Sequence, residues 1–257
     1  EESDGLLGTE RSVNIALTNE NEDDFVQRLL AGLDDYPAYY AHLGPLNLSG
    51  GVAIDLSAPA DTDPVEIARR IHRGEWVVDL RPRRHFALSH LAGSVGIEFA
   101  DGFSTYLAWL MPWGTPVTLL ADEPETIAAA QRQLVRIGID RPSGAATGGI
   151  ERWGLHTDRS HYPVIPFADV RPDATLLDVR RRDEFSVAHL EEAHNIPLHR
   201  LLDRIGEVPD GPVHVHCQSG FRASIAASLL DRAGHDVTLV DDDFDNAGDA
   251  GRPLIGS

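Results

Sequence analysis

The sequence predicts an α/β protein of two tandem domains, each a parallel sheet covered by helices, with a short helical segment ahead of them. Three observations predict it. A domain-sized stretch is duplicated, apolar runs alternate with helix-period stretches inside each copy, and the lone cysteine falls between a strand and a helix. The expected boundaries are residues 1–60 for the helical segment, 61–155 for the first domain and 163–257 for the second.

The duplication is read without gaps. VVDLRPRRHFALSHLAGSVGI, from Val77 to Ile97, aligns with LLDVRRRDEFSVAHLEEAHNI, from Leu176 to Ile196. Asp79 thus pairs with Asp178, Arg81 with Arg180, Phe86 with Phe185, and His90-Leu91 with His189-Leu190. Further on, residues 116–140 align with residues 212–236. A repeat of about one hundred residues is a domain-sized unit rather than a solenoid repeat.

In the second copy, residues 175–179 form a short apolar run suited to a buried parallel strand. A short helix is expected over 183–189 and a short strand over 193–196. Residues 213–216 read as a strand that feeds a glycine-containing turn. A helix follows over about 222–233, with Ile225, Ala226, Leu229, Leu230 and Ala233 making one apolar stripe and Gly234 as its stop. Residues 237–240 read as another buried strand. Between the copies, residues 155–162 are polar and without apolar periodicity, so a linker is expected there. Ahead of the first copy, residues 23–33 read as a helix with Phe25, Leu29 and Leu30 on one face, and residues 37–46 as a second.

Charge and composition narrow the function. The chain holds 22 basic residues, all arginine, against 41 acidic ones, for a net charge of −19. That field repels a phosphate backbone, so nucleic acid is not expected as a partner. Without lysine there is no Schiff-base chemistry. One cysteine excludes an internal disulfide and a cysteine zinc site. No cofactor and no metal are expected. No apolar run reaches the length of a membrane span, and no basic-then-apolar segment opens the chain. With the unpaired cysteine, this predicts a cytoplasmic protein. The chain opens on Glu1 rather than methionine, which is what a piece of a longer protein would show.

The chemistry is concentrated in His216-Cys217-Gln218-Ser219-Gly220-Phe221-Arg222. A cysteine after a buried strand and before a helix sits where backbone N–H groups converge. Those donors and the positive helix end favour a thiolate, and they would equally cradle an anionic sulfur species. Gly220 permits the tight curvature. Arg222 closes the loop and is placed to orient an anionic donor by charge-assisted hydrogen bonds.

Asp178-Val179-Arg180, Glu184-Phe185, Ala188-His189-Leu190, Ala193, Asn195-Ile196-Pro197 and the loop Cys217 to Arg222 resemble, in order and spacing, the rhodanese (sulfurtransferase) family. The resemblance implies two rhodanese-like domains and a sulfurtransferase whose catalytic residue is Cys217, carrying sulfur as a persulfide. It implies that Gln218, Ser219, Gly220, Phe221 and Arg222 bind substrate, with Asp178 and Arg180 in support. The partners implied are a small-molecule sulfane-sulfur donor, thiosulfate or a low-molecular-weight persulfide, and a thiol or cyanide acceptor. The first copy has Ala121 where Cys217 stands, followed by Asp122-Glu123-Pro124-Glu125, and is expected to be catalytically silent. Three departures from the family pattern weigh against thiosulfate: Gln218, Glu184, and Asp241 to Asp245 in place of the ending kept in the first copy as Gly148-Gly149…Trp153.

The opening segment has its own resemblance. Gly8 to Asn14, Asp23-Asp24-Phe25-Val26, Pro37-Ala38-Tyr39-Tyr40 and Leu46-Asn47 are similar to the tail of a metallo-β-lactamase-fold protein of the persulfide dioxygenase type. That implies an upstream domain of that fold as a partner. Its metal-binding HxHxDH stretch is absent, so its chemistry is not expected of this chain.

Blander roles are expected elsewhere. His214 and His216 share one side of a strand and read as packing, as do Trp109, Trp113 and Trp153. His189 reads as structural, and Asp241 to Asp245 as a solvated acidic turn. Two rival functions stand beside sulfur transfer. A cysteine phosphatase of related fold has five residues between Cys and Arg, whereas four intervene here. A non-catalytic binding or regulatory module remains the other.

Overall fold

The computed structural model describes residues 7–19, 21–31, 37, 39–50, 53–171 and 173–256. Four helices open it: α1 (Leu7–Val13), α2 (Ile15–Thr18), α3 (Glu22–Ala31) and α4 (Tyr40–Ser49). None of the described residues within them is buried. The helix expected over 23–33 is α3, but Leu29 and Leu30 of its supposed apolar face are exposed, and positions 32–33 lie outside the described residues, as does Ala38 of the next expected helix.

The first sheet has the order β3-β1-β4-β5. Its path begins with α5 (Pro64–His72), capped by the Asp63 carboxylate, which accepts from the Val65 and Glu66 amides. Then come β1 (Trp76–Asp79), α6 (Arg83–Leu88), β2 (His90–Leu91), β3 (Val95–Gly96), α7 (Phe103–Leu110), β4 (Val117–Leu120), α8 (Pro124–Val135), β5 (Gly144–Ala146) and α9 (Ile150–Trp153). All pairings within this sheet are parallel, and Asp61 adds a parallel bridge beside β5. Strand alternation assigns the faces. Val77 and Leu120 pack with Ile67 of α5 and with Trp153, while Val78 and Leu119 pack with α7 and α8.

The chain continues through β6 (Arg159–Ser160) and β7 (Val164–Ile165) into the second sheet, ordered β10-β8-β11-β12-β7 and parallel throughout. Its remaining elements are β8 (Thr175–Asp178), α10 (Arg182–Val187), β9 (His189–Leu190), β10 (His194–Asn195), β11 (Val213–His216), α11 (Phe221–Arg232), β12 (Val237–Val240), α12 (Asn246–Asp249) and β13 (Leu254–Ile255). Parallel sheets covered by helices are thus the architecture that the alternation of strand and helix predicts. Among the described residues no helix is long and apolar enough to cross a membrane.

The polar linker expected over 155–162 is corrected. Its residues 159–160 form β6, which pairs antiparallel with β2, just as β13 pairs antiparallel with β9. Tyr162 is buried, and its amide donates to the Ala87 carbonyl at 3.0 Å. A two-residue strand is too short to show a period, which is why composition alone read as linker.

Helix α11 also departs from expectation. One apolar stripe is predicted, yet every residue from Ala223 to Leu230 is buried, Ser224 and Ser228 included. One hydrophobic core takes in Val95 and Ile97 beside β3, Val215 and Leu239 of the second sheet, and Ile225 and Leu229 of α11. The edge of the first sheet therefore covers the face that the second sheet leaves open. Ser228 meets the demand for satisfied polar groups there by donating to the Ile225 carbonyl at 2.8 Å.

Each central strand ends in the same charged fork. Arg180 donates to the Asp178 carboxylate through Nε at 3.0 Å and Nη2 at 2.6 Å, and Nη2 also reaches the Ala188 carbonyl at 2.8 Å. Arg81 repeats this with Asp79 and the Ser89 carbonyl. Both forks are buried, and each guanidinium rests on an aromatic ring: Arg81 on Trp153 at 5.6 Å and Arg180 on Phe244 at 3.6 Å. Removing one member of such a pair strands the other. We expect Asp178→Ala to lower the unfolding free energy by about 3–5 kcal/mol in urea titration, and a loss under about 1 kcal/mol would contradict the fork's role.

Candidate active site

Strand β11 ends at His216, Cys217 follows, and α11 begins at Phe221. Gly220 makes the transition at φ 82°, in the left-handed region that only glycine enters without strain. A Cβ at Gly220 would also run into the Asp241 carboxylate. The third amide of α11, that of Ala223, donates to Cys217 Sγ at 3.4 Å. Among the described residues, the amides of Ser219, Gly220, Phe221 and Arg222 have no backbone acceptor. They form the open donor set expected where a turn enters a helix. The Phe244 amide, donating to the Gln218 carbonyl at 2.8 Å, ties the loop to the segment after β12.

The first copy keeps the order of strand, turn and helix but neither the thiol nor the left-handed turn: its helix α8 already begins at Pro124, the partner of Gly220 in the alignment, after an extended Glu123. Ala121 is buried in place of Cys217, and the Gly148 amide donates to the Asp122 carbonyl at 2.9 Å. Phe244 thus stands where the first copy has its Gly-Gly…Trp ending, both in the tie to the loop and in the ring beneath the arginine.

The acidic turn Asp241 to Asp245 is solvated only in part: Asp243 and Asp245 are exposed, whereas the carboxylate of Asp241 is not. The Asp241 side chain is 4% exposed and accepts from Arg83 Nε at 2.7 Å and Arg84 Nε at 2.6 Å, both from α6. Arg83 Nη2 reaches on to the Ser219 carbonyl at 3.4 Å. Asp242 accepts from the Phe167 amide and from Asn246 Nδ2. The two arginines of the first copy thus hold the carboxylate against which Gly220 is packed.

The predicted substrate-binding residues do not all converge. Arg222 lines a cleft of about 540 Å³ with Tyr106, Trp109, Glu184, Leu198 and His199. Phe221 packs on Tyr106 from the loop side, with ring centroids 5.6 Å apart. Ser219 instead lines a second hollow with Arg83, Glu98 and Asp241, and Gln218 points towards Asp243, Nε2 to Oδ1 at 3.4 Å. Asp178 and Arg180 are buried in their fork and line neither. Trp109, read from sequence as packing, is a cleft wall, tilted against His199 at 4.8 Å. Nothing in a local pattern marks a residue that reaches another sheet.

Arg222 does not present a free charge. It grips Glu184 in a two-pronged pair, Nη1 to Oε2 at 2.6 Å and Nη2 to Oε1 at 2.8 Å. Burial works to raise the Glu184 carboxyl, but the hydrogen bonds and charge of Arg222 outweigh it and leave it below its usual value. Cys217 is 1% exposed, beneath the loop rather than on the cleft wall.

The histidines of β11 are packing residues, as their spacing suggests. His189 stacks on Phe185 and has Nδ1 2.8 Å from its carbonyl. Among the described residues no three His, Cys, Asp or Glu side chains gather as a metal group. His216 lies between Phe167 and Phe244, and among the described residues neither ring nitrogen has a hydrogen-bond partner. Burial pushes its pKa down to about 4 from the usual 6.5, with Asp178 opposing and Arg180 assisting.

Residues 168–248, which hold β8, β11, Cys217 and α11, match the family model described as Rhodanese-like domain. The curated protein YqhL of Bacillus subtilis (strain 168) is 42% identical over 62 residues, 24% of this chain and 49% of YqhL. The match thus spans about half the length of that relative. A metallo-beta-lactamase from Staphylococcus aureus subsp. aureus COL superposes with a TM-score of 0.45 at 20% identity, over 55% of this chain and 39% of that one. Thiosulfate sulfurtransferase from Pseudomonas aeruginosa gives 0.34 at 20% identity, over 77% and 43%.

A histidine held neutral in the fold but protonated once unfolded withdraws stability as pH falls. From His216 alone the loss begins near its unfolded value of 6.5 and is complete near 4, about 3 kcal/mol in all. Denaturant titration of His216→Leu between those limits is expected to show a flatter stability–pH curve than the parent, and an unchanged slope would contradict the burial of a neutral ring.

Proposed function

We propose that the chain is a rhodanese-type sulfurtransferase that carries sulfane sulfur as a Cys217 persulfide. The observation that carries this reading is the loop: a thiol at the end of a central parallel strand, under a helix N-terminus, with unpaired amides around it. The matched rhodanese-like domain supports it. In the first half-reaction the Cys217 thiolate attacks the outer sulfur of the donor. A sulfur–sulfur bond forms at Cys217, the donor's own breaks, and the donor leaves with the electron pair, as sulfite from thiosulfate or as a thiolate from a persulfide. The amides of Gln218 to Arg222 hold the anionic sulfur. An external thiolate or cyanide then takes the sulfur and restores Cys217, since the chain has no second cysteine.

The Glu184–Arg222 pair bears on the donor. A dianion such as thiosulfate meets an arginine already neutralised, which favours a low-molecular-weight persulfide. Residues 163–257 are read as the active domain, 61–155 as a silent one because Ala121 holds no sulfur, and 1–60 as the tail of an upstream metallo-β-lactamase-fold partner. One observation favours a second reading, a non-catalytic binding module: Cys217 is nearly fully buried and does not line the cleft.

Intact-protein mass after incubation with thiosulfate, and separately with glutathione persulfide, distinguishes them. Sulfur transfer predicts a gain of one sulfur atom that cyanide removes and that Cys217→Ser abolishes. No adduct from either donor would leave the binding module.

A further inference from the structure

Helix α7 packs against the first sheet through Phe103 and Leu107, yet Tyr106 on the same helix belongs to the other copy's surroundings. Its ring lies 5.6 Å from that of Phe221, the first residue of α11. With Trp109, three residues on, it forms the aromatic wall of the cleft that Arg222 and Glu184 line opposite. Among the described residues its hydroxyl has no hydrogen-bond partner, so a donor is left open towards the cleft. Burial keeps this phenol protonated beyond its usual range, with Arg222 opposing and Cys217 and Glu184 adding. A neutral hydroxyl beside the cysteine loop is suited to meet an anion that appears only as bonds change.

We propose that Tyr106 contacts the departing group of the sulfur donor, its hydroxyl donating a hydrogen bond to the anion released when Cys217 takes the sulfur, so that the copy without a cysteine supplies a substrate contact to the copy that has one. The assignment rests on the sulfur-transfer reading. For a persulfide the step is Cys217–S⁻ + R–S–SH → Cys217–S–SH + R–S⁻. The new bond joins Cys217 Sγ to the sulfane sulfur, the old one leaves its electron pair on R–S⁻, and the proton stays on the sulfane sulfur. Tyr106 stabilises R–S⁻ without giving up its own proton. The organic part of R has the faces of Tyr106 and Trp109 to lie against. A ring that only packs on Phe221 would need no hydroxyl.

Tyr106→Phe keeps the ring and removes the donor. In single-turnover formation of the Cys217 persulfide, followed by intact mass, the rate constant with glutathione persulfide is expected to fall about tenfold, with the half-saturating concentration little changed. With thiosulfate the loss should be smaller, because sulfite is a less basic leaving group than an alkyl thiolate and depends less on the hydrogen bond. The melting temperature serves as the control for folding. An unchanged rate, or equal losses with both donors, overturns the assignment while sulfur transfer stands. Absence of an adduct in the parent chain removes both.

Discussion

Helix α11 carries the loop at its N-terminus, and it is buried on every side. A helix that flanks one sheet has a covered face and a wet one; this one has two covered faces because the edge of the first sheet closes over it. The position of the cysteine loop therefore depends on both copies. The charged contacts obey the same constraint. Arg83 and Arg84 leave the first copy to neutralise Asp241, and Asp241 sits against Gly220, where a Cβ has no room. Such a carboxylate, nearly shielded from water, needs its partners, since a lone buried charge is costly. The copy without the thiol holds the other's loop through these contacts.

In the proposed sulfur transfer, that arrangement would let so acidic a chain meet anionic sulfur. The arginines beside the loop and the cleft are each engaged by a carboxylate: Arg83 and Arg84 by Asp241, Arg222 by Glu184. The open donors are then backbone amides and a tyrosine hydroxyl, which in the proposed reaction would stabilise charge as it develops rather than capture a highly charged ground state. Tyr106, Trp109, Val179 and Leu198 give the cleft an apolar and aromatic wall around the Glu184–Arg222 pair, which under the proposed function suits an organic thiol carrier better than a small dianion.

Much of the second copy was legible in the sequence. The strand expected over 213–216 is β11 residue for residue, and that expected over 175–179 is β8 with one residue fewer. Apolar runs between turn residues in a parallel sheet leave little freedom in where a strand begins and ends. The duplication likewise paired Asp79 with Asp178 and Arg81 with Arg180, the residues that form the two forks, though not their contact within each copy. What local patterns did not carry were contacts between the copies: the covered face of α11, the burial of Asp241, and the place of Trp109 and Tyr106 on the cleft. Asp241, at the head of a run of aspartates, reads as solvated until the arginines that face it, more than 150 residues away, are brought alongside. Phe244 was hidden for a related reason, since it replaces a tryptophan in position while the glycines before it are gone.

Arg83 and Arg84 of the first copy hold the cysteine loop through Asp241. Amide hydrogen exchange tests it most directly, comparing the parent chain with a variant carrying Arg83→Ala and Arg84→Ala. Exchange at Ser219 to Ala223 and at Phe244 is expected to quicken, while β1 and β4 stay as protected as before. Unchanged protection across Ser219 to Ala223 would contradict it and leave the loop to the second copy alone.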